Sequence, residues 1–440
     1  MPASIQISPS PEVLLRCGES TDLRTQQCVK ASREAEIVVA VVGVGYVGRG
    51  LVQTFSTQFK VIAYDISSET LRVAKLELGG SNIRYTSCAA DMKPATHFLI
   101  SVPTLVNADT TINTGHIKAA ISTVAEVAQQ GSTVVIESSV AVGMTRSLLG
   151  PMAVSCGLFA GMSPERVDPG RTEPPCAAIP KLISGLDDVA PGSLDSIRLA
   201  YERVFSRLVP VSCPEVAEMT KLYENCQRMM CIAFANEMAD AALSHGIDPY
   251  EVSRAAATKP FGYAPFSPSV GVGGHCIPVN PYYLLSNSPF PLLRAATETM
   301  AARPALIARR TMEYLKHKTT TTSTTTSTTT STTTTPVGGR DRARVLVVGV
   351  GFKAGQSVLS YSPGVALLNA LHEQGQVDVS FADPLVGQAD LPHVARFDES
   401  KWTRRMLETF DAIIVCSKQP GLDYQLLQHL DGVKVDIWCE

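Results

Sequence analysis

The chain has 440 residues, which is enough for two or three domains, each with its own hydrophobic core. Hydrophobic residues make up 45% and charged residues 18%, and the formal net charge of −3 gives no reason to expect nucleic acid or a membrane surface as a partner. No apolar run approaches the roughly 20 residues that span a bilayer, and the N-terminus lacks the pattern of a secretory signal. We therefore expect a globular cytoplasmic protein.

The 11 cysteines are scattered along the chain. None of them forms a CxxC pair or a Cys/His cluster with the spacing of zinc ligands. The sequence therefore predicts reduced thiols and no metal site.

Residues 1–35 are expected to be a flexible extension, and the first domain is expected to cover residues 36–210. Short apolar runs such as VVAVV, KVIAY and STVVI alternate in that domain with helix-like stretches. This alternation predicts a parallel sheet covered by helices on both faces, which is a doubly wound α/β domain.

A helical region is predicted for residues 211–318, where apolar residues keep helical spacing over many turns. Pro214 suits the first turn of a long helix and Gly246 suits its end. Such a helix usually connects domains or pairs with another subunit. Residues 319–335 are only Thr and Ser, so residues 319–340 are expected to be a disordered insertion. A second, smaller α/β domain is predicted for residues 341–440.

The strand VVAVV runs directly into GVGYVG, in which Gly43, Gly45 and Gly48 form G-x-G-x-x-G. In this motif one glycine permits a tight turn, one lets the backbone approach a pyrophosphate and one allows close packing of helix on strand. Asp65 ends the next apolar run, where an acid binds both ribose hydroxyls and favours NAD over NADP. The motif in this context predicts an NAD site, and the alternative is a glycine turn without a ligand.

Two further sites are ambiguous on spacing alone. Lys221 and Asn225 share one helix face and are able to stabilise an oxyanion, although a solvated helix face explains the same spacing. Cys276 follows the glycines of GVGG and precedes a predicted helix start, a position that favours a thiolate nucleophile. A buried loop cysteine is an equally good explanation of Cys276.

Together these segments resemble the UDP-glucose/GDP-mannose dehydrogenase family. The motifs that carry the resemblance are GVGYVG (43–48), VPT (102–104), ESSV (137–140), SPERVDPG (163–170), EVAEMTKLYEN (215–225), GVGGHCIPVNPYYL (271–284) and GFK (351–353). The resemblance covers nearly all of the chain outside the N-terminal extension and the Thr/Ser tract. The segment around Cys276 and the SPER motif look like the branch that acts on UDP-N-acetylhexosamines.

The resemblance implies a fold of two Rossmann-like domains joined by a long central helix and a helical dimerisation region. It also implies a reaction in which NAD+ oxidises the sugar C6 hydroxymethyl to an aldehyde, Cys276 forms a thiohemiacetal, a second oxidation gives a thioester, and water releases the uronic acid. The second domain would cover the UDP group of the substrate, and the long helix would form a homodimer.

The same resemblance implies the site residues. The catalytic residues would be Cys276, Lys221, Asn225, Glu165, Thr104 and Asn280. The cofactor contacts would be Gly43, Gly45, Tyr46, Val47, Gly48, Asp65, Pro103, Thr104 and Glu137. The substrate contacts would be Glu165, Arg166, Lys221, Asn225, Gly273 and Lys353. Lys221 and Asn225 would stabilise the oxyanions, and Glu165 and Thr104 would assist the hydrolytic water.

Three positions depart from the family pattern: Asn280 replaces an Asp, Cys231 an Asn and Ser360 an Arg. An amide cannot accept a proton as a carboxylate does, and the loss of a guanidinium removes a bidentate contact. Three alternatives follow. The protein is a full four-electron dehydrogenase, an enzyme of the same fold with another nucleotide sugar or an incomplete oxidation, or an NAD-binding homologue without turnover.

Overall fold

The structure, a computed structural model, describes residues 36–167, 173–325 and 342–439. Eight strands form the first sheet. They are β1 (Val38–Val42), β2 (Lys60–Tyr64), β3 (Ile83–Thr86), β4 (His97–Ile100), β7 (Thr133–Ile136), β8 (Phe159–Met162), β9 (Lys181–Gly185) and β10 (Leu208–Pro210), with β5 (Leu105–Val106) and β6 (Ile112–Asn113) forming a separate antiparallel pair. The apolar runs singled out in the sequence are the central strands of this sheet.

The strand order is β10-β9-β8-β7-β4-β1-β2-β3. Neighbouring strands are parallel except β8 and β9, which are antiparallel. The chain moves outward from β1 to β3 and then returns to place β4 on the other side of β1, which creates a topological switch point between β1 and β4. In open α/β sheets ligands bind beyond the carboxyl ends of the strands at such a point.

Helices cover both faces of this sheet. They are α1 (Tyr46–Phe55), α2 (Ser68–Leu78), α3 (Gly115–Val127), α4 (Met144–Cys156) and α5 (Ser193–Tyr201). Residues of the central strands point alternately into two apolar clusters, with Ala40 and Phe98 on one face and Val39 and Leu99 on the other. The predicted doubly wound architecture is confirmed.

Four helices follow: α6 (Pro214–Ser244), α7 (Pro249–Ala257), α8 (Asn280–Leu285) and α9 (Pro291–Thr325). Helix α6 begins at Pro214 and ends just before Gly246, whose φ of +72° is left-handed, as the sequence predicts. Helix α9 continues over residues 319–325, the first part of the Thr/Ser tract that was expected to be disordered, because adding a residue to an existing helix costs little. The remainder of that expectation, and the extension 1–35, lie outside the described residues.

The second sheet is wholly parallel in the order β13-β12-β11-β14-β15. Its strands are β11 (Ala343–Val348), β12 (Val377–Ala382), β13 (Ala395–Arg396), β14 (Ala412–Val415) and β15 (Lys434–Ile437), accompanied by helices α10 (Pro363–Glu373) and α11 (Arg404–Leu407). Short 3-10 turns occur at Ala89–Met92, Cys176–Ala178, Gln388–Asp390, Glu399–Lys401 and Tyr424–Leu427. In the described part of the chain, no helix is both long and apolar enough to cross a bilayer.

Candidate active site

The topology gathers the residues expected to bind the cofactor at one edge of the first sheet. The glycine turn follows β1, Asp65 follows β2, Pro103 and Thr104 come soon after β4, and Glu137 directly follows β7. Since β1, β2, β4 and β7 are parallel, their carboxyl ends share this edge, and the switch point lies in its middle.

The glycine turn has the geometry that a dinucleotide needs. Gly43 has a φ of +91°, and a Cβ on Gly48 would lie 1.9 Å from the carbonyl oxygen of Gly43. A Cβ on Gly45 would meet nothing within 4 Å, so a side chain there would fill the open space in front of the turn. Helix α1 begins after Gly45 without a side-chain cap, which leaves its first N–H groups for an anion. Tyr46 and Val47 form the first turn of this helix.

Asp65 fixes this turn relative to the next strand. One of its carboxylate oxygens accepts from the Val44 N–H at 2.8 Å, and the other accepts from the Ser67 N–H at 2.8 Å. Each carboxylate oxygen has a second lone pair, so hydroxyl donors still have acceptors here. These features fit an NAD molecule held by the glycine turn, the start of α1 and Asp65.

A group of buried charges continues the same edge. Lys181 donates to Glu137 at 2.6 Å and to Glu165 at 3.3 Å, and Tyr201 donates to the other oxygen of Glu137. The side chains of Lys181, Glu137 and Glu165 are 3%, 0% and 11% exposed. Glu165 also accepts from the N–H groups of Arg166 and Val167, at 2.6 and 2.9 Å. This grouping matters because burial makes each unpaired charge expensive.

The pKa values of Glu137 and Glu165 are shifted in opposite directions. Burial raises the pKa of Glu137, despite the counteracting charge of Lys181. Burial also acts to raise the pKa of Glu165, but the charges of Lys181 and Lys221 together with the N–H of Arg166 outweigh it and lower that pKa. Carboxyl groups whose pKa values are pushed apart in this way are suited to different proton-transfer roles.

Helix α6 places Lys221 and Asn225 on its buried face, with exposures of 6% and 0%. Burial lowers the pKa of Lys221, and the neighbouring Cys276, Glu165 and Glu224 oppose that effect. Lys221 therefore lies within electrostatic reach of both the thiol and the carboxylate. That these side chains act together in one site stays a prediction.

A chain of amides leads from α6 to the cysteine loop, which is the segment 271–279 before α8 that carries Cys276. Arg228 donates to Asn225 Oδ1, and Asn225 Nδ2 donates to Asn280 Oδ1. The Asn280 N–H in turn donates to the Cys276 carbonyl at 2.9 Å. Since a guanidinium only donates, it fixes the orientation of both amides, and the Oδ1 of Asn280 faces Asn225.

The second α/β domain packs against the cysteine loop. A Cβ on Gly273 would lie 2.8 Å from Pro363 and 3.1 Å from the carbonyl oxygen of Tyr361, so close packing requires glycine there. The rings of His275 and Tyr361 meet edge to face at 5.7 Å. His275 thus has a packing contact with the second domain.

All the expected substrate contacts stay predictions, Arg166 and Lys353 among them. Arg166 makes a two-point contact with Glu224 on α6 at 2.5 and 3.4 Å, and it also donates to the Pro180 carbonyl at 3.0 Å. Lys353 lies on an exposed turn after β11. Thr104 lies beside the hydroxyl of Tyr283, which donates to the Leu105 carbonyl at 3.4 Å.

The chain is similar to proteins of known family. The NAD binding domain of the UDP-glucose/GDP-mannose dehydrogenase family matches residues 73–204, and the central domain of that family matches residues 215–299. The chain is 31% identical over 380 residues to the UDP-N-acetyl-D-glucosamine 6-dehydrogenase of Pseudomonas aeruginosa, covering 81% of this chain and 85% of that protein. It is 28% identical over 408 residues to the UDP-N-acetyl-D-mannosamine dehydrogenase of Pyrococcus horikoshii, covering 87% and 89%.

The solved structure of the UDP-D-ManNAc dehydrogenase from Pyrococcus horikoshii superimposes with a TM-score of 0.76 at 25% identity, covering 91% of this chain and 99% of that one. The chain belongs to the UDP-glucose/GDP-mannose dehydrogenase family. It is an NAD-dependent oxidoreductase, so the predicted enzyme class and cofactor are confirmed.

Sequence reasoning missed three members of the site. Lys181, Tyr201 and Arg228 lie in positions where no recognisable motif marks them. Their roles depend on which strands and helices face one another, and no local pattern reports that.

Proposed function

We propose that this protein oxidises the C6 hydroxymethyl of a UDP-N-acetylhexosamine to the uronic acid in a four-electron reaction. The observation that carries the proposal is that Cys276 interacts electrostatically with the buried Lys221, while its carbonyl accepts from Asn280, whose side chain is bonded to Asn225. The names of the relatives from Pseudomonas and Pyrococcus support the substrate class.

Bound NAD+ would supply the hydride acceptor, and two NAD+ are needed for each sugar. The alcohol loses a hydride and a proton to become an aldehyde. The Cys276 sulfur then adds to the aldehyde carbon, and the oxygen takes up a proton to give a thiohemiacetal. Loss of a second hydride and a proton leaves a thioester, and water cleaves the C–S bond to release the acid and the thiol. The covalent stage turns the aldehyde into a second hydride donor.

The buried cation and amide of α6 suit the charge that develops on the sugar oxygen. Lys221 is 6% exposed, so its positive charge acts at short range without much solvent screening. Asn225 Oδ1 accepts from Arg228, so the Asn225 amide hydrogens face the cysteine loop. Glu165, held ionised, would accept the proton of the hydrolytic water.

A second candidate has a specific observation in its favour. The single side-chain oxygen of Asn280 accepts from Asn225. The other terminal atom is an amide nitrogen, which cannot take a proton from the water as the second oxygen of an aspartate would. An enzyme of this kind would stall at the thioester, stop at the aldehyde or use another nucleotide sugar. A homologue without turnover is the third alternative, and the retention of Cys276, Lys221 and Glu165 disfavours it.

The UDP group is proposed to lie between the cysteine loop and the second α/β domain. A Cβ on Gly273 would lie 3.2 Å from the Cβ of Phe352, the neighbour of Lys353, so the exposed turn that carries Lys353 is on the side of this loop. Arg166 would turn from Glu224 to the substrate when the latter binds.

A homodimer through α6 is the proposed assembly. One stripe of this helix leaves large apolar side chains exposed at helical spacing, namely Val216, Met219, Tyr223, Phe234 and Met238. Tyr223 and Phe234 are 68% and 66% exposed, and a second copy of the same stripe would bury them. Tyr223→Glu should then halve the mass measured by light scattering, whereas Leu76→Glu, at a 73% exposed position on α2, should not.

The test is to incubate the protein with NAD+ and a panel of UDP-sugars, and to count NADH formed per sugar consumed. We expect two NADH per sugar with a UDP-N-acetylhexosamine. Cys276→Ser should abolish thioester formation and keep NAD+ binding, and Cys231→Ser is the matched control on α6. One NADH per sugar would favour the incomplete oxidation, and none with any sugar would refute the proposed activity.

A further inference from the structure

Lys181 is a buried lysine whose three ammonium hydrogens all bond to oxygens of the protein. Its ammonium group lies 2.6 Å from Glu137 Oε2, 3.3 Å from Glu165 Oε2 and 3.4 Å from the Pro164 carbonyl oxygen. An ammonium has three hydrogens and no acceptor, so these three oxygens saturate it. Lys181 therefore has no donor left for a substrate or cofactor, and any effect on the reaction would act through the carboxylates.

The direction of β9 brings Lys181 to the site. Strands β7 and β8 end at the edge where the glycine turn lies, and Glu137 and Glu165 follow them. Strand β9 runs antiparallel to β8, so its first residue, rather than its last, lies at that edge. This reversal is the only break in an otherwise parallel sheet of the described chain.

The buried charges alternate in sign toward the thiol. Lys181 is in direct contact with Glu137 and Glu165, Glu165 interacts electrostatically with Lys221, and Lys221 interacts electrostatically with Cys276. A lysine that served only to neutralise a buried glutamate would need one partner. Lys181 has two, and the more exposed of them, Glu165, faces the proposed reaction centre.

We propose that Lys181 is a positioning residue that fixes the Glu165 carboxylate toward Lys221 and maintains its negative charge during hydrolysis of the thioester. This inference rests on the proposed function, in which Glu165 accepts the proton of the hydrolytic water. Lys181 does not contact the reacting atoms, so it should act on turnover and leave substrate affinity unchanged.

The charges around Glu165 define the expected pH dependence. The titratable groups that face it are Glu137, Cys176, Lys181, Tyr201 and Lys221. Lys181 is the largest influence that lowers the pKa of Glu165, while burial and Glu137 act in the opposite direction. Without Lys181 the pKa of Glu165 must rise, so the base would stay protonated up to a higher pH.

The first test is the pH profile of kcat for Lys181→Met and Lys181→Arg. We expect the acid limb of Lys181→Met to move up by roughly 1–3 pH units, kcat to fall most on the acid side of neutrality, and KM to stay within about twofold. Activity should recover toward the native rate at high pH. Lys181→Arg should restore most of the native profile. The control is Lys60→Met, since Lys60 also begins a strand but pairs with Glu36 at the surface.

A second variant keeps the test decisive if Lys181→Met does not fold. Glu137→Gln removes a negative neighbour and leaves Lys181 to Glu165 alone, so the acid limb should move down. The inference would be overturned if the acid limb of kcat stayed in place in Lys181→Met, even with a loss of thermal stability. If only Glu137→Gln folds, an unmoved acid limb in that variant would overturn it. Failure of the native protein to form NADH with any UDP-sugar would instead refute the proposed function.

Discussion

Replacing Asn280 by Asp is the most direct test of the altered residue beside the proposed nucleophile. In the native protein the Asn280 Oδ1 accepts from Asn225, and Arg228 fixes the direction of that hydrogen bond. An aspartate would keep this acceptor and add a second, charged oxygen in place of the amide nitrogen. That oxygen is the proton acceptor that the water attacking a thioester needs.

The magnitude follows from two opposing effects. General-base help contributes about 10²–10⁴-fold, and because Glu165 already provides some of it we expect thioester hydrolysis to speed up by ~10²-fold. Position 280 is 1% exposed, so the new charge is buried, at a cost on the order of 1–3 kcal/mol in stability. Arg228 bonds Asn225, the hydrogen-bond partner of Asn280, and this nearby cation keeps the cost at the lower end.

The assay is a rapid quench followed by intact-protein mass spectrometry. Native protein mixed with NAD+ and UDP-sugar should accumulate a sugar adduct on Cys276, and Asn280→Asp should release it faster. Asn236→Asp is the control, since Asn236 is equally buried on α6 but bonds Ser269 instead of the cysteine loop. Slower turnover in Asn280→Asp, together with no adduct in the native protein, would refute the reasoning and show that the site requires an amide donor.

Other predictions concern the cofactor edge and the scaffold. Asp65 should repel a 2′-phosphate, so kcat/KM should favour NAD+ over NADP+ by roughly 10²-fold or more, and equal efficiencies would contradict that role. Gly48→Ala should abolish NADH binding in a fluorescence titration, because its Cβ would lie 1.9 Å from a backbone carbonyl oxygen, whereas Gly50→Ala meets no atom within 4 Å and should bind normally. Burial lowers the pKa of His97 from 6.5 to about 4, so the unfolded chain takes up this proton at a higher pH than the folded protein does. The free energy of unfolding should therefore be highest above about pH 6.5 and fall by about 3 kcal/mol as the pH drops toward 4. His97→Gln should unfold without that pH slope in urea titrations, and an unchanged slope would refute the assignment. Replacing residues 319–335 by a short Gly/Ser linker should leave folding and activity nearly intact, since loop-closure entropy changes slowly with length; loss of soluble protein would contradict this.

The sequence by itself determined the local elements and the side chains attached to their ends. Apolar runs predicted the strands, Pro214 and Gly246 marked the limits of the long helix, and the glycine turn with Asp65 predicted NAD as the cofactor. These features depend on neighbouring residues along the chain, through backbone sterics, helix ends and side-chain periodicity, so a linear pattern reports them.

The tertiary structure decided which of these side chains meet. Lys181 reaches Glu137 and Glu165 only because β9 reverses direction beside β8, and no residue near Lys181 in the sequence signals that reversal. The orientation of the Asn280 amide likewise depends on Arg228, which is far away in the chain. Charge and hydrogen-bond direction act through space between elements whose pairing is set by burial of the whole core, so only the assembled fold fixes the proton-accepting groups of the site.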